Sequence, residues 1–494
     1  MGRRRKNKKQ RKGEGVGEGN NNESGISMRI CDLPDPILHR ILSSLPTKDA
    51  IRTSVLSKRW EHLWKNISTI ELREDYRTHP QEPEPEKRRK KFMNFAMRLL
   101  AACDCARLKD FSLSCRVGEN ASQVSQWLYG FINPKIEDLS LQFEEIREPL
   151  VFPDHLFTCA RLIQFRSYMP HIFKIPSSIH FQSLRILVLF CVIFPDSSST
   201  ENLFAGCPAL EDLTLVSCNF KNVKAFFISC PLLQKIEILE MKDEKEEEDD
   251  GLDVSNRCKV MIIGTNLKSF HYDGDCSDEY ILYDSASVIN ASINVQVPPQ
   301  RFWDEDYGCL LDLGYYVFKL LRELPNVLKL SVNHAFTLAL SRTGLLLKYM
   351  PFFPNLFELN LDTTTKYICL SYPGLLAMFH NSPTLEVIRF EGGVSLPKDA
   401  TYILDCIPLC FSTDLKTIEI CNFNGQEEEL FAIKVLLQAA SSLGKLIIRC
   451  YSHSSDFDDI DSHRGERSEK LHKQILRYPK RSMDCQIDFQ HIMR

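Results

Sequence analysis

The chain has 494 residues, 44% of them apolar and 26% charged, which excludes wholesale disorder and fibrous architectures and suggests two to four globular domains. The formal net charge is −4, yet the first twelve residues hold eight Lys or Arg, so about −12 is left on the remainder; this is no chain that coats nucleic acid along its whole length. No run of 18 apolar residues is present to span a membrane, MGRRRKNKKQ has no apolar segment behind it for a secretory signal, and Lys6 stands where a myristoylation signal wants Ser or Thr.

Residues 1–27 read as a disordered basic tail, since RRRKNKKQRK and the GEGVGEGNNNESG after it have almost nothing to bury. The basic run is open to three readings: a nuclear address, a nonspecific nucleic-acid patch, or a solvated end. Nucleic-acid binding is the weakest of these, because no aromatics are interleaved to stack bases. The tail favours the nucleus over the cytoplasm. The eighteen cysteines are too sparse in so long a chain for a secreted disulfide scaffold, so reduced thiols are expected.

Apolar patterning begins at Met28, and residues 28–73 carry three helix signals. Asp35-Pro36 reads as an N-cap and first helical proline, followed by Ile37, Leu38, Ile41 and Leu42 before Leu45-Pro46 stops the helix. Thr47 reads as the cap of a second helix, with Ala50, Ile51 and Val55, and Ser57 as the cap of a third, with Trp60, Leu63 and Trp64. So short a unit cannot bury all these large side chains alone, which points to a surface completed by a partner.

The run LPDPILHRILSSLPTKDAIRTSVLSKRWEHLW resembles the F-box, the helical module that docks onto Skp-type adaptors of cullin ubiquitin ligases; many F-boxes have Glu where this chain has Pro36. The resemblance implies adaptor contacts at Leu33, Pro34, Ile37, Leu38, Ile41, Leu45, Pro46, Val55, Leu56, Trp60, Leu63 and Trp64, although internal packing is an alternative role for each.

Residues 74–98 read as a charged, proline-rich linker, with KRRKK at 87–91 as a second basic cluster. Over 99–404 the texture becomes a recurring L-x-x-L-x-L with Leu, Ile, Val or Phe at the apolar places. Its first positions are 184, 210, 233, 327, 356, 385, 415 and 443, and Leu267-Phe270-Tyr272 is a degenerate copy. Steps of 23 to 30 residues bracket the period of leucine-rich repeats, and Pro208, Pro231, Pro325, Pro354 and Pro383 each precede a repeat by two. Each unit's short strand cannot bury its apolar face alone, so the units must stack into a solenoid. DEKEEEDDG at 243–251 reads as a solvated acidic insertion.

Residues 405–494 are similar to the FBD region that ends many plant F-box/leucine-rich-repeat proteins, read here as last repeats plus a cap, with an amphipathic helix over 426–440. The fold class expected is α+β multidomain: an N-terminal three-helix F-box, an α/β leucine-rich-repeat solenoid and a C-terminal FBD cap.

The close cysteine pairs Cys103-x-Cys105 and Cys406-x3-Cys410 lack a second pair at zinc spacing, and no phosphate-binding glycine loop or nucleophile elbow occurs, so no catalytic residue, metal or cofactor is assigned. Cys207, Cys218 and Cys230 read as repeat packing. The resemblance implies a non-catalytic substrate receptor of an SCF-type (Skp–cullin–F-box) ligase, working by proximity. A non-ligase interaction scaffold is the alternative. The expected partners are a Skp-type adaptor, a cullin ligase through it and an unidentified target, with no membrane. Target contacts are expected on the outward strand positions of the concave sheet: Val188, Phe190, Asp212, Thr214, Lys235, Glu237, Glu358, Asn360 and Arg389.

Overall fold

In the computed structural model the described residues are 30, 33–74, 85–240, 257–297, 308–362, 367–400, 406–452 and 461–493. The basic tail and the acidic insertion at 243–251 lie outside them.

Three helices open the described chain: α1 (Asp35–Ser43), α2 (Thr47–Arg52) and α3 (Trp60–Leu63). Leu38 and Leu42, one turn apart on α1, are wholly buried with Ala50, Trp60 and Leu63. The caps differ from those the sequence suggests, and the Asp35 and Thr47 side chains have partners elsewhere. Pro34 precedes α1, and Asp35 instead accepts from Arg59 Nε at 3.1 Å. Thr47 is the first residue of α2 and its Oγ1 accepts from Glu71 N at 2.7 Å. Arg59, not Ser57, precedes α3, and Ser57 contributes its carbonyl to Glu61 N.

That Thr47 bond fastens the helices to strand β1 (Thr69–Arg73), which pairs in parallel with β2 (Asp110–Gly118). From β1 onward, fifteen strands form one parallel sheet that ends at Gln486–Met493. The sheet crosses both expected boundaries: it starts inside the F-box unit and runs through the FBD region. Alternation along each strand separates two faces. Leu187 and Leu189, Leu213 and Leu215, Ile236 and Ile238, and Phe270 and Tyr272 point inward at 0–2% exposure, so the degenerate repeat at 267 is a true strand. Aromatic side chains stack along the same core; Phe194 lies 4.9 Å from Phe220 and Phe204 5.9 Å from Phe226.

The expected linker needs correction. Pro85 begins α4 (Pro85–Ala102), an 18-residue helix, because proline suits a first turn as well as a linker. Phe92, Met93, Ala96 and Leu99 lie on one face of α4 and are buried, with Phe92 edge-on to Trp127 at 6.0 Å. Within KRRKK, Arg89 is engaged by the fold: its Nη2 donates to the Val117 carbonyl at 2.5 Å, where the chain turns through Gly118 at φ +53°. At the far end, Gln426 and Glu429 form a capping box on the helix Glu427–Ala439 inside the FBD region.

The sixteen cysteines whose side chains the structure describes are free thiols. Cys207 Sγ donates to the Leu203 carbonyl at 3.2 Å, Cys218 to Leu189 at 3.4 Å and Cys230 to Phe204 at 3.4 Å. Burial pushes the Cys218 and Cys230 thiols up to about 12 and Cys207 higher still, so all three stay neutral packing groups.

Candidate docking surfaces

The first surface lies on the F-box helices, and the structure divides the twelve expected adaptor contacts into three sets. Leu38, Trp60 and Leu63 are core residues at 0%, 2% and 6% exposure, which leaves no face for a partner. Leu33, Ile41 and Trp64 are half-buried against that core. Ile37, Leu45, Val55 and Leu56 stand out into solvent, at 86% exposure for Val55 and 63% for Leu56, with Pro34 and Pro46 exposed beside them. The buried set explains the S-K-R-W run. Trp60 fills the core, while Arg59 reaches back to the start of α1, donating to Asp35 and to the Leu33 carbonyl at 2.7 Å. Between these anchors, Val55 and Leu56 sit on a short 3₁₀ turn with no packing of their own.

The second surface is the outward face of the sheet. Parallel register aligns Ile186, Asp212, Lys235, Ser269, Asn290, Lys329, Glu358, Val387 and Thr417 in one row. Val188, Thr214, Glu237, His271, Ser292, Ser331, Asn360, Arg389 and Glu419 form the next. Val188 and Phe190 are half-exposed there, while Val216, in register with Phe190, is buried where its strand ends at Ser217 with φ +48°.

Glu358 is the clearest correction among the target contacts. Its carboxylate is 6% exposed, held by Lys329 at 3.1 Å and by Arg389. Arg389 continues to Glu419 at 3.1 Å, and Arg449 closes on Glu419 from the other side. This ladder of alternating charge uses Glu358 and Arg389 on each other. At the late end of the face these charges are therefore paired with one another. At the early end Lys235 pairs with Glu237 at 3.2 Å and Asp212 at 3.7 Å; burial pulls its ammonium down, and these two carboxylates outweigh that and leave it raised.

Between the two ends small side chains leave a concavity of about 370 Å³ around Ser269, Ser292, Ser331 and His271. Asn360 Oδ1 on its wall is buried without a hydrogen-bond partner. Sequence reasoning missed this recess, because the strand Asn290–Val295 that supplies its middle has Ala291 where other repeats have a large apolar residue.

A half-buried acid, Glu240, follows the strand Lys235–Leu239. Glu240 accepts from Tyr272 Oη at 2.6 Å and Tyr280 Oη at 2.9 Å. Burial first, and then the charges of Asp275 and Asp278, raise its carboxyl to about 7 against those two bonds; burial lifts Asp278 to about 6. A carboxyl raised on folding stabilises fully below its unfolded value, near 4.5, and loses that contribution as pH rises through 7. The melting temperature is therefore expected to fall between pH 5 and pH 8. Glu240→Gln should flatten that slope, which calorimetry across the range would read.

Among the described residues no group of three or more His, Cys, Asp or Glu is placed to hold a metal ion, and no helix is long and apolar enough to cross a membrane.

Comparison with known proteins bears on both surfaces. The F-box domain model matches residues 30–70, and a model described as "FBD-associated F-box protein At5g56370, LRR repeats" matches residues 124–250. An F-box/LRR-repeat protein of Arabidopsis thaliana is 34% identical over 270 residues, 54% of this chain and 81% of that protein. A putative F-box protein of the same plant is 26% identical over 84% of this chain and 87% of its own. An F-box/FBD/LRR-repeat protein, also from Arabidopsis thaliana, is 33% identical over 44% of this chain and 47% of its own. The matched residues span α1 to β1 and the early repeats described above, and the chain belongs to the plant F-box/FBD/leucine-rich-repeat family.

Proposed function

We propose that this chain is the non-catalytic target-recognition subunit of an SCF-type ubiquitin ligase. The F-box helices would bind a Skp-type adaptor, through it the cullin, while the outward sheet face holds a target protein. The observation that carries this reading is the exposed Val55 and Leu56 between two structural anchors, since an F-box without a partner leaves that apolar pair in water. The receptor itself would do no chemistry; holding a target near a charged conjugating enzyme raises its effective concentration. Co-purification tests the adaptor role: a Skp-type adaptor co-expressed with the full chain should elute with it at one to one, and independent elution of the two would contradict it.

For the target, the proposal centres on the early sheet face and the recess beside it: Val188, Phe190, Thr214 and the Ser269–His271 concavity. Val188→Asp with Phe190→Asp is expected to leave the melting temperature within a few degrees, because both positions are half-exposed, and to cut target binding at least tenfold. A large drop in melting temperature would show that these side chains serve packing instead.

A further inference from the structure

We infer that the cleft between α2, the end of β1 and α4 is a binding site for a small anionic amphiphile, a compact apolar group carrying a phosphate, sulfate or carboxylate. The cleft holds about 430 Å³, the size of a small-molecule pocket. From α2 it takes Lys48, Ile51 and Arg52, at i, i+3 and i+4. From α4 it takes Arg88, Lys91, Phe92 and Phe95, at i, i+3, i+4 and i+7. Each spacing places one helix face toward the cleft, and each face mixes cations with apolar side chains. Arg73 adds a fifth cation from β1.

Among the described residues the single wall carboxylate is already engaged. Glu74 is 2% exposed and accepts from Arg116 N at 2.9 Å and Arg116 Nη2 at 2.8 Å. Arg52 pairs with Asp49 at 2.8 Å, whereas among the described residues no carboxylate lies within ion-pair reach of Lys48, Arg73 or Lys91. The floor is apolar: Phe92 is buried, and Ile51 and Phe95 are half-buried. Cations gathered over an apolar floor repel one another, and one anion relieves several of these repulsions at once. An apolar body on the same molecule gains by covering the floor. Val55 and Leu56 line no part of this cleft, so the site is separate from the proposed adaptor surface.

Calorimetric titration of the full-length protein with 1-naphthyl phosphate tests the site, with 1-naphthol and inorganic phosphate as the two half-ligands. One saturable site per chain is expected, at least tenfold tighter for the naphthyl phosphate than for either half-ligand. Lys48→Ala with Lys91→Ala should weaken it at least tenfold, and both positions are exposed enough to leave the fold intact. Absence of saturation, equal affinity for naphthol, equal affinity for inorganic phosphate, or undiminished binding by the double variant would each overturn the assignment.

Discussion

Val55→Asp combined with Leu56→Asp is expected to abolish binding to a Skp-type adaptor while leaving the melting temperature unchanged within a degree or two. Both side chains are largely in solvent in the free chain, so a carboxylate at either position costs the fold almost nothing. In a complex the same positions would lose water, and a buried, unpaired carboxylate there is strongly unfavourable. Apolar interface anchors typically cost about 2 kcal/mol or more each when truncated, and two charges exceed that, so a loss beyond roughly a hundredfold follows. Adaptor affinity by calorimetry and folding by circular dichroism read the two halves of this result. Retained affinity would remove the exposed 3₁₀ turn from the docking surface.

Trp60→Ala is expected to act the other way round, on stability first. Trp60 is 2% exposed and belongs to the same buried cluster as Leu38, Leu42 and Leu63. Emptying such a site removes the transfer energy of the indole and leaves a cavity, together about 3–5 kcal/mol. The indole Nε1 has no partner in that core, so no hydrogen bond is lost with it, which places the cost toward the lower end. Because Thr47 bonds β1, loosening the helices should also loosen the first strand of the sheet. A midpoint shift in denaturant titration, largely restored by Trp60→Phe, checks this. Adaptor binding should fall only in proportion to the fraction unfolded, which distinguishes an anchor of the fold from a contact with the partner.

The sequence made the repeats legible because a strand buried on one face forces apolar residues into a fixed phase, and a phased proline marks each return to the sheet. Leu108-Phe111-Leu113, without that proline, and Ile136-Leu139-Leu141, with Pro134 two residues ahead, carry the same phase, yet their strands emerged only from the structure. The helix α4 was obscured for a related reason. Its apolar face begins at Phe92 after five consecutive cations, and charge density there resembles a linker until the burial of Met93, Ala96 and Leu99 is seen. The F-box helices were recognisable from Leu38, Trp60 and their neighbours, yet sequence alone could not tell anchors from contacts. Both are large and apolar, and only exposure separates Leu38 from Val55. The ladder of Lys329, Glu358, Arg389 and Glu419 was hidden likewise, since pairing across neighbouring strands depends on register between segments about 30 residues apart.

The most direct measurement of the central claim is amide hydrogen exchange of the full chain with and without a purified Skp-type adaptor. The account predicts added protection across residues 45–57, the stretch holding Leu45, Val55 and Leu56, with the sheet strands from Ile186 to Ile420 unchanged. Protection on the sheet face with none at 45–57, or no change anywhere at saturating adaptor, would contradict it.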